Sequence, residues 1–219
     1  MESTIFDPSI ADTLVRSRHT ICDILEDRGY DATPYRNIAP DQIITLAGGT
    51  SRSLDMMVKK RPDSIATCEK AFVLYILQDR LKQKLGTFLR ELYEDNVVEG
   101  LTRKDDVIII LNEQYHDIFD KVSLGQWQTE KTRISFFHIK QVVVNLRNHE
   151  LVDPHRKLTV EEAKAEMERL HVTQKSQLPL IKHYDIQARL MGLVPGDIIE
   201  VMRRSPTSGV ARVLRLCAA

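Results

Sequence analysis

Apolar positions near the start of the chain repeat at the spacing of an α-helix. Between residues 14 and 25 they fall on one helical face, which predicts a helix in this part of the chain. Asp12 or Thr13 would cap the start of this helix, and Gly29 is suited to end it.

The next stretch, residues 33–63, is broken by prolines and glycines into short pieces, of which QIITLAGG is the best candidate strand. The apolar pattern then becomes longer and more regular. It predicts a buried strand at AFVLYIL, a helix over QDRLKQKLGTFLREL, a strand buried on both faces at DVIIILN, a short helix at HDIFDKVS, and one or two strands within ISFFHIKQVVVNL. Alternating strands and helices need crossover connections, so residues 1–146 are predicted to form an α/β domain with a small open sheet and flanking helices.

This periodicity stops at NHELVDPHRKL, where a proline, charges and two histidines interrupt it. A second domain is therefore predicted over residues 147–219. In it, Thr159 and Glu162 have the spacing of a capping box, which predicts a helix directly after Thr159. Asp185 would open a further short helix that Gly192 ends.

Two short strands follow this helix. VPGD places Pro195 and Gly196 at the second and third positions preferred in a type II turn. DIIEVMRR and VARVLRL, joined by SPTSG, then predict a hairpin, so the second domain is expected to be α+β with a short antiparallel sheet. Arginines and apolar residues share both faces of this hairpin, which leaves open a solvated sheet edge and an arginine-rich docking surface.

Charge and composition exclude several classes of protein. Lys plus Arg and Asp plus Glu number 31 each, so no overall field attracts the chain to nucleic acid or anionic lipid. From Arg147 onward there are 12 basic and 9 acidic residues, leaving 19 and 22 before it. The chain has no long apolar run, no signal-peptide pattern and three widely spaced cysteines, which predicts a soluble protein of a reducing intracellular compartment.

Two stretches look superficially like metal sites. HELV begins like the zinc motif HExxH, but Asp153 stands in place of the second histidine, and His155 cannot share the helical face. RPDSIATCEK begins like the acidic motif of magnesium-dependent nucleases, but Glu69 and Lys70 are adjacent and would point to opposite faces of a strand. A metal-dependent nuclease that uses Asp63 is kept as an alternative hypothesis.

No pattern for nucleotide binding or nucleophilic catalysis is present. The sequence lacks GxGxxG, the phosphate-binding loop and a nucleophile elbow. No catalytic residue, metal site or cofactor is therefore predicted. A second alternative hypothesis is a freestanding DNA-binding module that uses the arginines of the hairpin.

Residues 176–216, SQLPLIKHYDIQARLMGLVPGDIIEVMRRSPTSGVARVLRL, resemble one family closely. They are similar to the assembly domain of the fifth common subunit of eukaryotic nuclear RNA polymerases, a family to which a shorter subunit of the archaeal RNA polymerase is related. The shared pattern is SQLP, an aspartate that opens a short helix, GL, GD and R-x-S-x-T-S-G. It is matched by Gln177, Leu178, Pro179, Asp185, Ala188, Gly192, Leu193, Gly196, Asp197, Arg203, Ser205, Ser208 and Gly209.

The resemblance extends upstream, with departures. VVVNLRNHELVDPHRKLT is similar to the family's strand followed by HELVPxH, with Asp153 in place of the proline and Pro154 one position later. RSRHTICDILEDRGY is similar to the first helix and DRGY end of eukaryotic members. NEQYHDIFDKVS lacks the TPSA-type segment that eukaryotic members place near downstream DNA, and LKQKLGTFLRELYEDN is longer than the family's connection. This divergence fits either a divergent eukaryote or a large DNA virus.

The resemblance implies a non-catalytic structural subunit of a multi-subunit DNA-dependent RNA polymerase, without a cofactor. Residues 1–146 would form part of the lower jaw near downstream duplex DNA, and residues 147–219 would dock on the largest subunit. The implied partners are the polymerase subunits, and DNA only within the complex, with no membrane and no small-molecule substrate. The implied location is the nucleus, or the virion or infected-cell cytoplasm if the polymerase is viral. Contact with the largest subunit is expected at Pro179, Asp185, Arg189, Pro195, Gly196, Arg203, Arg204, Ser205, Ser208 and Gly209.

Overall fold

Two four-stranded sheets organise the chain, one in each half. They belong to two units, Met1–Asn145 and Leu146–Ala219. The computed structural model describes residues 10–49, 52–64, 66–77, 80–94, 98–207 and 209–219. None of the helices in these ranges combines the length and the apolar character needed to cross a membrane.

The first unit contains five α-helices, four strands and a short 3-10 helix among its described residues. The helices are α1 Ala11–Asp27, α2 Thr33–Arg36, α3 Pro40–Ala47, α4 Leu81–Glu94 and α5 Asp117–Glu130. The strands are β1 Met56–Lys59, β2 Lys70–Ile76, β3 Asp106–Leu111 and β4 Arg133–His138, and the 3-10 helix is Ile139–Val142.

The sheet of this unit has the order β1-β2-β3-β4. Strands β2, β3 and β4 are parallel, while β1 pairs with β2 in the antiparallel direction. Every residue of β3 is buried, as the continuous apolar run DVIIIL predicts for a central parallel strand. Helices α4 and α5 contribute Leu85, Leu89 and Phe119 to the core on one face of the sheet. The predicted α/β architecture is confirmed.

The prediction of a strand at QIITLAGG is wrong, because most of this segment lies in helix α3. Pro40 lies in the first turn, where its missing N–H costs no hydrogen bond. Ile43 and Ala47 are buried one turn apart, and the Thr45 hydroxyl donates to the C=O of Asp41 at 2.8 Å. The apolar residues of this segment therefore follow the helical repeat. The segment is so short, between flanking prolines and glycines, that the repeat was not recognised in the sequence.

Further details of the first unit differ from expectation. Helix α1 begins one residue before the predicted cap, and Ile10 at the N-cap makes no side-chain capping bond. Beyond β4 the chain forms a 3-10 helix rather than a second strand, because the His138 side chain accepts from the N–H of Lys140 and caps that turn. Helix α5 extends beyond HDIFDKVS to Glu130, and strand β1 was not predicted.

The second unit contains four strands, two α-helices and two 3-10 helices among its described residues. The strands are β5 His155–Lys157, β6 Leu180–Lys182, β7 Ile198–Ser205 and β8 Gly209–Ala218. The helices are α6 Val160–Arg169 and α7 Ile186–Leu190, with 3-10 helices at Leu146–Asn148 and Lys175–Gln177.

The predicted capping box is confirmed at the start of α6. Glu162 donates its N–H to the Thr159 hydroxyl at 3.1 Å, and the Glu162 carboxylate accepts from the N–H of Thr159 at 2.8 Å. The sheet has the order β5-β7-β8-β6. Because β6 runs parallel to β8, the sheet is mixed and not purely antiparallel as predicted.

Candidate docking surface

A tight turn sets the direction of the carboxy-terminal hairpin. Gly196 has φ = +101°, which L-amino acids with a side chain rarely adopt, and Asp197 donates its N–H to the C=O of Val194 at 3.1 Å. The Asp197 carboxylate accepts from the N–H of Val194 at 2.9 Å and from Lys157 Nζ at 2.7 Å. The GD pair therefore closes the predicted turn and fixes it to β5.

The hairpin strands bury an apolar set on each face. Ile199 and Val201 pack with residues of α7 and β6, while Ile198 and Leu214 pack with Leu158 and α6. Helices thus cover both faces of the central strands, so the apolar part of the hairpin is a core. This placement leaves only the ends and edges of the hairpin for a partner.

A buried carboxylate neutralises two of the arginines on the sheet. Glu200, on central strand β7, is 5% exposed. It accepts hydrogen bonds from Arg212 on β8 and, at 3.3 Å, from Arg156 on β5. Glu162 and Glu166 of α6 pair with the same two arginines, at 2.6 and 3.5 Å. This network stabilises the packing of three strands against α6, and it neutralises both arginines, although their side chains remain 51% and 42% exposed.

The tip of the hairpin differs from its centre. Arg203 and Arg204 are exposed, and within the described residues neither forms an ion pair. The Ser205 and Thr207 hydroxyls lie 3.2 Å apart, and Gly209, which begins β8, is exposed. Ser208 lies outside the described residues. The tip therefore presents positive charge beside small polar side chains.

The other predicted contact residues lie near the opposite end of the hairpin. Pro179 is exposed, and its C=O accepts from the N–H of β8 residue Leu216 at 2.9 Å. Asp185 caps α7 as predicted, because its carboxylate accepts from the N–H of Gln187 at 2.8 Å. Arg189 is half-buried on α7.

The predicted contact residues thus form two groups and not one patch. Pro179, Asp185, Pro195 and Gly196 lie toward the start of β7, and the arginines of the tip lie at its end. Seven residue steps separate the ends of β7, and at about 3.4 Å per step this is about 24 Å. A partner that touches both groups would have to follow the length of the hairpin.

The DRGY motif has a structural role in the first unit. Arg28 pairs with Asp106 on β3 at 2.8 Å, and the two side chains are 3% and 7% exposed. Gly29 has φ = +96°, and a Cβ there would lie 1.8 Å from the Ser64 hydroxyl. Burial and the Asp106 carboxylate raise the pKa of Tyr30, whose hydroxyl donates to Asp106 at 3.5 Å. The motif therefore fixes the end of α1 to the central strand.

The stretches considered for metal binding serve local structure. His149 accepts from the N–H of Leu151 at 3.2 Å, and His155 Nδ1 lies 2.5 Å from the C=O of Asp153. Lys70, from the nuclease-like stretch, donates to the C=O of Gly100 at 3.4 Å. In the part of the chain that the structure describes, no three His, Cys, Asp or Glu residues are arranged to hold a metal ion.

The three cysteines are buried thiols. Burial raises the pKa of Cys22 and of Cys68, and it raises the pKa of Cys217 to about 12. Because the thiolate is the nucleophilic form, these residues act as small apolar side chains of the core.

Comparison with known proteins identifies the family. Residues 144–217 match the family described as RNA polymerase Rpb5, C-terminal domain. A Caenorhabditis elegans relative, DNA-directed RNA polymerases I, II, and III subunit RPABC1, is 37% identical over 205 residues, which cover 90% of this chain and 91% of the relative. The chain belongs to the Rpb5 family.

Two further relatives match the chain over different lengths. A Dictyostelium discoideum relative, DNA-directed RNA polymerases I, II, and III subunit rpabc1, is 29% identical over 205 residues, or 93% of this chain and 96% of the relative. The Pyrococcus abyssi DNA-directed RNA polymerase subunit Rpo5 is 48% identical over 66 residues, or 30% of this chain and 79% of the relative. The family, the archaeal relationship and the non-catalytic polymerase-subunit assignment are confirmed, whereas the nuclease and the freestanding DNA-binding module gain no support.

Sequence reasoning missed two residues that build the Rpb5-type hairpin. Glu200 was treated as one residue of a mixed strand face, and Asp197 as part of a turn. A carboxylate flanked by β-branched residues on a predicted strand was the available signal for Glu200, because an acid that such a strand buries needs paired partners. The role of the ten predicted contact residues stays a prediction.

Proposed function

We propose that this chain acts as a structural subunit of a DNA-directed RNA polymerase whose carboxy-terminal unit docks on the largest subunit. The observation that supports this most directly is the hairpin tip, where Arg203 and Arg204 are exposed while Arg156 and Arg212 are neutralised. Arginine is enriched at protein interfaces and suits contact with carboxylates. The polymerase would supply the catalytic groups, and this chain would supply none.

The amino-terminal unit is proposed to form part of the lower jaw near downstream duplex DNA. The relatives that match nearly the whole chain carry this unit, and the 66-residue archaeal match covers only 30% of the chain. Equal numbers of acidic and basic residues mean that the chain alone has little attraction for DNA. DNA contact is therefore expected only where other subunits hold the duplex against this unit.

The proposed location follows from the polymerase. A eukaryotic nuclear polymerase would place the chain in the nucleus, and a viral one would place it in the virion or the infected-cell cytoplasm. Fluorescence of the tagged chain in its host cells, beside a marker of the nucleus, separates these locations.

Affinity purification of the tagged full chain from its host cells tests the proposed function. The two large polymerase subunits should be recovered with it, and the double substitution Arg203→Glu with Arg204→Glu should reduce their recovery at least tenfold, since charge reversal at an interface is poorly tolerated. Arg16→Glu with Lys164→Glu is the control, because it changes net charge equally at side chains that are 61% and 80% exposed. Recovery of the chain without polymerase subunits contradicts the function, and equal recovery of both variants contradicts the role of the tip.

A further inference from the structure

We propose that the outer edge of β6 receives an extended segment of another polymerase subunit, which adds a fifth strand to the carboxy-terminal sheet. This inference rests on the function proposed above and specifies a mode of docking. The added segment would place an apolar side chain beside Leu180 and a carboxylate beside Lys182.

The backbone of β6 presents donors on its outer side. The C=O of Pro179 and the N–H of His183 are bonded to β8. Successive residues of a strand direct their backbone groups to opposite sides, so those of Leu180 and Lys182 point away from β8. Over the described ranges of the chain, nothing accepts a hydrogen bond from either of these two N–H groups. Such an edge is a template for another strand.

Unlike the outward N–H groups, the two outward C=O groups already accept hydrogen bonds from within the unit. Arg215 Nη1 donates to the C=O of Leu180 at 3.3 Å, and the N–H of Asp185 donates to the C=O of Lys182 at 3.0 Å. The second of these bonds turns the chain away from the strand toward α7. The edge is therefore short and suits a segment of only a few residues.

An apolar row across the sheet ends at this edge. The register pairs Ile198 with Leu216, and Leu216 with Leu180. Ile198 is 3% exposed, Leu216 is half-buried, and Leu180 is 49% exposed. Neighbouring strands lie about 4.8 Å apart, so an apolar side chain on a fifth strand would directly cover Leu180. The row has the form expected where a sheet continues into a partner.

The charges around β6 indicate an acidic segment. Lys182 is exposed on the same strand face as Leu180, and among the described residues its Nζ contacts only the C=O of Ala219, at 3.4 Å. The guanidinium of Arg215 lies at the C=O of Leu180, and the nearby Asp185 carboxylate is occupied as the cap of α7. A carboxylate directly opposite Lys182 would form the favourable cross-strand pair of opposite charges.

The other edge of the sheet differs in its side chains, because in the described residues it has no exposed apolar residue and both of its cations have acidic partners. On β5, Lys157 pairs with Asp197, Arg156 pairs with Glu162 and Glu200, and the C=O of His155 accepts from Arg147 at 3.1 Å. Side chains of the unit itself thus engage every residue of this strand. The β5 edge serves as an internal comparison for the β6 edge.

Hydrogen exchange of the full chain, free and within the isolated polymerase, tests the proposal. The amides of Leu180 and Lys182 should exchange at least tenfold more slowly in the complex, because backbone hydrogen bonds protect them. The amides of β5 provide the comparison. Unchanged exchange at β6 in a chain that co-purifies with polymerase refutes the strand addition alone, whereas failure to co-purify refutes the function proposed above. Slowing that occurs in the free chain and grows with its concentration shows a second copy at the edge and overturns the assignment to another subunit.

Matched substitutions test the backbone and the apolar row separately. Lys182→Pro removes the outward N–H and the charge but no bond to β8, whereas Lys182→Ala removes only the charge. Lys182→Pro should reduce recovery of polymerase subunits at least fivefold below Lys182→Ala. Leu180→Ser should weaken recovery more than Leu170→Ser, since Leu170 is 42% exposed but lies at the end of α6. The proposal is refuted if all variants unfold at the same temperature as the parent chain and the two variants of each pair recover equal amounts of polymerase subunits.

Discussion

The DRGY motif makes a quantitative prediction about the stability of the first unit. Replacing Arg28 by Met removes the guanidinium that pairs with Asp106, whose side chain is 7% exposed. Among the contacts described for this carboxylate, the hydrogen bond from the Tyr30 hydroxyl, at 3.5 Å, would remain. Removing one partner of a buried ion pair costs about 3–5 kcal/mol, because the remaining charge stays away from water.

A surface ion pair of the same unit provides the control. Arg36 contacts Asp23 at 2.6 Å and Glu26 at 2.8 Å, but its side chain is 39% exposed. Exposed pairs contribute about 0.2–1 kcal/mol, so Arg36→Met should cost far less than Arg28→Met although it breaks two ion pairs.

Urea unfolding followed by tryptophan fluorescence separates the two cases. Trp127 is the chain's one tryptophan and lies in the first unit, so its emission reports on that unit, and urea leaves ion pairs unscreened. Adding Asp106→Asn to Arg28→Met should recover part of the lost stability, because it removes the unpaired charge. Equal losses for Arg28→Met and Arg36→Met would refute the reasoning.

Three other sites give measurable expectations. Burial raises the pKa of Asp55 to about 6 from 3.8, so its contribution to stability is present below pH 3.8 and lost as the pH rises through 6. The substitution Asp55→Asn keeps an acceptor for the N–H of Tyr75. It should therefore raise the free energy of unfolding at pH 7 by up to ~3 kcal/mol and give no gain at pH 3.5. Gly29→Ala should lower the melting temperature more than Gly196→Ala, because both have strongly positive φ but only Gly29 faces a side chain within 2 Å. Glu200→Gln should weaken the second unit by about 1–3 kcal/mol in chemical unfolding followed by circular dichroism, since an amide NH₂ would replace one acceptor oxygen of the buried carboxylate. A smaller loss than that of Glu168→Gln, at 70% exposure, would contradict this.

The sequence predicts best where local chemistry and apolar periodicity agree. The capping box at Thr159, the turn at Pro195 and Gly196, and the buried run of β3 all combine such signals, and each appears in the structure. Helix α3 shows the opposite case, because its eight residues contain enough β-branched side chains to suggest a strand. Only the burial of Ile43 and Ala47, four residues apart on one helical face, distinguishes the helix from a strand.

The side chains that pair with one another across the sheet could not be predicted from the sequence. The partners of Glu200 come from β5, α6 and β8, so its burial depends on a strand order that the apolar pattern does not contain. The two groups of predicted contact residues were likewise treated as one site because they are close in sequence. Only the extended geometry of β7 separates them.

The distribution of charge explains how a neutral chain can present basic contacts. The second unit has three more basic than acidic residues, but acids already neutralise the cations at its centre, Lys157 and Arg212 among them. Exposed cations that form no ion pair within the described residues include Arg203 and Arg204 on the tip and Lys182 on the β6 edge. These exposed cations are screened by salt, whereas the buried network around Glu200 is screened far less. Rising ionic strength should therefore release the chain from its partner well before it unfolds the second unit, which makes docking and folding separable in experiment.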